Sequence, residues 1–197
     1  MTNKTLLKIL IISLAPLLSI NAAMAHWSLD NETSQLSFVS VKADNVAEVH
    51  TFDVLSGTID DEGSVAITIE LASVNTLIPI RNERMQAMLF ETNLFPQATI
   101  TATVDLAALT GMEPGTTVVR QLPFQLVLHG VTQALTADVL ITRLASGAVV
   151  STMKPLIVTA DSFGLVAGVE KLREVAGLTR ISNAVPVSFT VVFEQGD

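Results

Sequence analysis

From Val65 to Leu71 apolar side chains recur at every second position, with Val65, Ile67, Ile69 and Leu71 set against Ala66, Thr68 and Glu70. Successive side chains of a strand point to opposite faces, so this period of two predicts one buried row and one wetter row. The pattern recurs along the chain. Leu36, Phe38 and Ser40 carry it weakly, and residues 50–57 continue extended into the turn Asp60–Gly63. Ala98, Ile100, Ala102 and Val104 alternate with Thr99, Thr101 and Thr103. Val118, Arg120, Leu122, Phe124, Leu126 and Leu128 share a further face, interrupted by Pro123, where a proline implies an edge, a bulge or two short strands. Leu135, Ala137, Val139 and Ile141 follow, then a strand from Val149 to about Ala160 broken by Pro155. Val185, Val187, Phe189, Val191 and Phe193 close the series against Pro186, Ser188, Thr190 and Val192.

The period changes in one place. Met85, Met88 and Leu89 fall at i, i+3 and i+4 while Arg81, Asn82, Glu83, Arg84 and Gln86 fill the remaining positions, which predicts a short amphipathic helix over about 80–91. Phe95-Pro96 ends it, because proline drives its predecessor into an extended conformation. Val169, Leu172 and Val175 or Ala176 are spaced for a second helical turn over about 168–176. The expected fold is therefore all-β: an antiparallel sheet of about eight strands that must close on itself or pair with another. A single inward row per strand fits a barrel that encloses a small ligand, with the helix as lid or plug. A sandwich with a filled core has the same periodicity.

Composition adds a targeting segment and several exclusions. Lys4 and Lys8, the apolar run from Leu6 to Ile20 and the small-x-small step Ala23-Met24-Ala25 match a cleavable secretory leader. The run is short and contains Pro16, which argues against a membrane anchor. Cleavage would leave one domain, residues 26–197, beginning at His26, and loss of Lys4 and Lys8 would take the formal charge from −8 to −10. That balance argues against nucleic acid and against electrostatic docking on anionic membranes. The absence of cysteine excludes disulfides, thiolate metal sites, a cysteine nucleophile and a diacylglycerol anchor.

Catalytic signals are sparse. His26, His50 and His129 are the only imidazoles, and no HExxH, GxSxG or phosphate-binding glycine loop occurs. Asp60-Asp61-Glu62-Gly63 misses the spacing of a twelve-residue calcium loop and reads as a solvated turn. No metal and no catalytic residue is expected. Arg81 and Arg84 are candidates to grip a ligand head group, set against the plainer reading of helix-surface ion pairs.

Six features in order resemble the YceI-like family: Trp27, the stretch Phe52 to Gly57, the step Ser73-Val74-Asn75-Thr76, the polar helix with its strand start (Arg81 to Pro96), the strand and turn Leu122 to Thr132, and Asp161 to Leu165. The resemblance spans essentially the whole chain after the leader. It implies a lipocalin-like barrel holding a long amphiphile: a polyisoprenoid, an isoprenoid quinone or a fatty-acid-like lipid. Each buried methylene contributes about 0.8 kcal/mol, and association costs roughly 4–15 kcal/mol. A chain of about ten carbons therefore only breaks even, so a tight ligand is longer.

The expected wall combines Phe38, Phe52, Ile67, Ile69, Ile100 and Phe124 with Leu126, Leu128, Val139, Val187 and Phe189. Met85, Met88, Leu89, Phe95 and Phe163 join it from the lid and the breaks. The expected role is a periplasmic, non-enzymatic lipid carrier of a Gram-negative bacterium. It would take no cofactor beyond its lipid, touch a membrane or membrane protein transiently, and be a monomer or homodimer. The alternatives are a lipid-modifying enzyme with His50 or His129 as base, and a filled-core module that binds a membrane-protein partner.

Overall fold

Residues 27–43 and 45–196 are described by the computed structural model. The expected leader, its expected cleavage site and His26 lie outside them. The described residues form eleven strands: β1 (Trp27–Lys42), β2 (Val46–Phe52), β3 (Leu55–Ile59), β4 (Ser64–Glu70), β5 (Val74–Asn75), β6 (Gln97–Thr103), β7 (Thr117–Leu128), β8 (Val131–Leu144), β9 (Gly147–Thr152), β10 (Leu156–Thr159) and β11 (Ala184–Gln195). Every pairing is antiparallel, and β11 pairs back onto β1.

Two long strands turn eleven segments into eight staves. One edge of β1 is held by β3 at Trp27–Ser28 and by β2 at Leu36–Lys42. One edge of β11 is held likewise, by β10 and then β9. The result is a closed eight-stranded barrel with extra short strands, the barrel and not the sandwich of the two folds that the alternation allows. At the kink between β2 and β3, Asn31 from the irregular part of β1 stitches the break: its Oδ1 accepts from the Leu55 amide at 2.6 Å and its Nδ2 donates to the Asp53 carbonyl at 3.1 Å.

The two prolines act differently. Pro155 separates β9 from β10, as expected. No bulge forms at Pro123, for β7 pairs with β8 in one register from Thr117–Thr142 to Leu128–Val131. The last β6 partner of β7 is Phe124, so Pro123 sits where β7 has become an edge and a proline costs little.

The chain adds helices α1 (Pro79–Arg84), α2 (Leu106–Thr110) and α3 (Val166–Val175), and α1 continues as a π-helical segment, Met85–Phe90. The π geometry corrects the expected phase. Bonds from i to i+5 widen the turn, so Met85 shares a face with Leu89 and Phe90, while Met88 turns partly outward. α3 packs on this segment through Gly168, where a Cβ would lie 2.7 Å from the Met88 carbonyl oxygen and 2.8 Å from the Leu89 Cα. Together they shut one end of the barrel. Trp27, Ile59, Val65, Ala148, Val191 and Phe193 pack together at the other end. There the Arg143 guanidinium lies 5.4 Å from the centre of the Trp27 ring. α2 was not expected; Asp105 caps it, its Oδ1 accepting from the Ala108 amide at 2.9 Å.

Candidate functional site: the barrel interior

A cavity of about 500 Å³ occupies the barrel between the two closed ends. The inward rows build it. Phe38, Phe52, Ile67, Ile69, Leu89 and Ile100 line it, as do Phe124, Leu126, Leu128, Val187 and Phe189. The phase assigned to β7 holds through Pro123, since Phe124 and Leu126 are buried on the wall while Gln125 is exposed. Phe90, unforeseen, lines the plug end and lies 5.6 Å from Phe52, which is 5.4 Å from Phe38. Only the π geometry turns Phe90 inward, so a 3.6-residue period hides it.

Seven expected residues lie off the wall. Met85 is buried in the core beneath the plug, and Met88 is rotated away from the interior. Val139 keeps the inward phase but is fully packed, at 0% exposure, directly opposite Arg120. Phe163 is buried in a tight turn before α3. Phe95 lies tilted against His129, ring centres 4.3 Å apart, at the β7–β8 turn. Neither lid arginine faces the cavity. Arg81 donates to Glu48 Oε2 at 2.8 Å and to the Thr76 carbonyl at 2.6 Å, tying α1 to β2, and Arg84 donates to the Val175 carbonyl on α3 at 3.5 Å.

His50 and His129 are also off the wall. His129 Nε2 meets Glu91 Oε2 at 2.9 Å, joining the end of the plug to the β7–β8 turn. His50 is buried, with Nε2 2.8 Å from Ser40 Oγ and Nδ1 without a protein partner. Burial, followed by the Arg81 charge, holds its pKa below the usual imidazole value; Glu48 opposes that shift and Lys42 adds to it. A base with a depressed folded pKa binds fewer protons folded than unfolded as pH falls below the unfolded value. Its stabilising contribution is therefore intact above about pH 6.5 and lost progressively below it. Thermal melts at pH 7.5 and 5.5 are expected to show a smaller loss in His50→Gln than in wild type. An equal loss would remove His50 as the cause. Among the described residues, no group of three or more His, Cys, Asp or Glu is placed to hold a metal ion.

The wall is not equally sealed all round. β6 pairs with β7 only from Thr99–Val127 to Ala102–Phe124, so residues 117–123 are held by β8 alone. The chain leaves β6 through Asp105 and α2, and Ala108, Leu109 and Met112 reach the cavity there in place of a strand. Four polar residues of the lining, Thr103, Asp105, Arg120 and Gln121, gather at this gap. A closed antiparallel barrel with an apolar interior and a helical plug defines the lipocalin-like class.

Within that class the chain belongs to the YceI-like family, whose domain model matches residues 27–193. A polyisoprenoid-binding domain from Saccharophagus degradans, implicated in plant cell wall breakdown, is 42% identical with a TM-score of 0.85, covering 86% of this chain and 98% of that one. BcnA of Burkholderia cenocepacia is 20% identical with a TM-score of 0.64, over 83% and 98% of the two chains. The Campylobacter jejuni YceI protein is 16% identical with a TM-score of 0.54, over 75% and 84%. These last two speak for the fold alone. No functionally curated protein matches the chain.

Proposed function

We propose that the protein binds a long-chain amphiphile in the barrel interior and carries it without chemical change. The observation that carries this reading is the apolar cavity of about 500 Å³, a volume in the range of small-molecule sites. A packed interior, which a pure interaction module would have, does not fit that volume. Neither His50 nor His129 lines the cavity, which weighs against a lipid-modifying enzyme based on either. The 42% identical relative is a polyisoprenoid-binding domain, which supports an isoprenoid ligand here. The leader-like pattern of residues 1–25 supports a periplasmic location; the proposed carrier delivers through transient contact with a membrane or membrane protein, as a monomer or homodimer.

The test is mass spectrometry on protein purified from the periplasm of cells expressing the full chain. Under native conditions the mass is expected to show a chain beginning at His26 plus one lipid, released on denaturation. Repeated recovery of lipid-free protein, with no uptake of added isoprenoid or fatty acid, would overturn the binding reading. Retention of Met1 to Ala25 on a membrane-bound species would overturn the location alone.

A further inference from the structure

Exposure along the inward face of β7 is graded. Leu126 and Phe124 are each 8% exposed, Leu122 is half-buried, and Arg120 is exposed. An inward-facing residue in contact with solvent marks a place where the interior is open. Arg120 is that residue: it pairs directly with Val139, so both stand on the inner face, and it lies in the part of β7 that β6 does not cover.

Arg120 is also the only cationic residue lining the cavity among the described residues. Its Nη1 donates to the Val119 carbonyl at 2.9 Å, and among the described residues it forms no ion pair. Two of the three other polar groups of the gap are engaged. Asp105 caps α2, and Gln121 Nε2 donates outward to Asp138 Oδ1 at 3.1 Å. The guanidinium therefore keeps donors for a ligand at the rim of an apolar chamber. Guanidinium bonds to carboxylate or phosphate are charge-assisted and bidentate, stronger than those to a neutral hydroxyl.

Resting on the reading of the interior as a lipid site, we infer that the gap between β6 and β7 beside α2 is the portal, and that Arg120 there seats an anionic head group while the tail runs toward Phe90. The head group is a carboxylate or a phosphate. The portal lies away from the plug, so a ligand passes in and out without displacing α1 or α3.

Two measurements test this. Calorimetric titration of wild type, Arg120→Gln and Arg120→Glu with dodecanoate, dodecyl phosphate and dodecanol reads the head-group preference. Wild type is expected to favour at least one anion, and the anion it favours identifies the source as fatty acid or phosphorylated lipid. Arg120→Gln should weaken that anion by about tenfold or more and leave dodecanol within about twofold, with a larger loss in Arg120→Glu. Unchanged anion affinity, or an equal loss for dodecanol, overturns the assignment while the lipid reading stands. Failure of wild type to bind any of the three overturns both.

The second measurement uses the absence of native cysteine. Ala108→Cys on α2 and Ala87→Cys on the exposed face of the plug are each labelled with a bulky maleimide. Stopped-flow uptake of the fluorescent fatty acid cis-parinaric acid should slow by about tenfold in the first and stay near wild type in the second. Equal rates overturn the portal, and slowing only at Ala87 places it at the plug.

Discussion

Leu126→Glu is expected to yield either an unfolded chain or a barrel stripped of lipid, whereas Gln125→Glu should behave as wild type. The two positions are neighbours on β7 and differ in face: Leu126 lies on the cavity wall opposite Ile100 and Gln133, and Gln125 is exposed between Thr101 and Ala134. A carboxylate on the apolar wall has no partner and loses its water, a cost on the order of 5 kcal/mol unless it is protonated. A domain of this size has total stability of about 5–15 kcal/mol, so the charge threatens the fold itself. Any variant that does fold solvates the carboxylate with water in the cavity and so evicts the tail. Urea unfolding at pH 8 with parallel lipid quantification separates these routes. Matching stability and lipid content in the two variants would show that the inner face of β7 is wrongly assigned.

Gly168→Val is expected to leave the barrel folded but unable to hold its ligand. The Cβ of any side chain at 168 runs into backbone atoms of the plug, the Met88 carbonyl at 2.7 Å and the Leu89 Cα at 2.8 Å. Backbone cannot swing aside as a flexible side chain can, so α3 and the π segment must separate, at roughly 1–3 kcal/mol. Leu89 and Phe90 then withdraw from the cavity they line. Lipid half-life on the protein should fall by about tenfold or more. Lys171→Val places the same β-branched residue on the exposed side of α3 and serves as control. Similar lipid loss in both would mean that helix propensity, and not the contact at Gly168, governs retention.

What could be read from the sequence divides along physical lines. The strand rows were legible because a period of two is a property of the backbone itself. Phe124, Leu126 and Leu128, or Val187 and Phe189, declare their common face without knowledge of any partner. Closure of the barrel through β1 and β11 left no local mark beyond the need to hide edges. Features that depend on a neighbour are not legible from the local pattern. Pro123 leaves an edge, a bulge and two short strands open, because whether a proline distorts a strand depends on where the adjacent strand stops; pairing with β6 ends at Ala102–Phe124, which makes it an edge. The lid helix was found, but its turn of i to i+5 bonds exchanged Met88 for Phe90. Arg81 and Arg84 looked available for a head group because their acceptors, Glu48 and the Val175 carbonyl, are far away in sequence. Arg120 stood in an apolar row all along; the gap that frees it is a fact of pairing.

The seam between β1 and β11 has a consequence for how the chain comes to exist. Trp27 pairs with Gln195 and Phe38 with Val187, so the first and last strands complete each other across nearly the whole sequence. A nascent chain made from its amino terminus can lay down the β3–β4 and β7–β8 hairpins early, but the chamber has no final wall until residues 184–195 have emerged. Until then the greasy rows of both flanking strands face water along open edges, the arrangement most prone to wrong pairing with other chains. Contacts so distant in sequence also place the protein among slow folders, on a scale of milliseconds to seconds. The interval before closure is thus the period in which the unfinished molecule most needs shielding, and a nonsense change within the last strand would be far more damaging than its position near the end suggests.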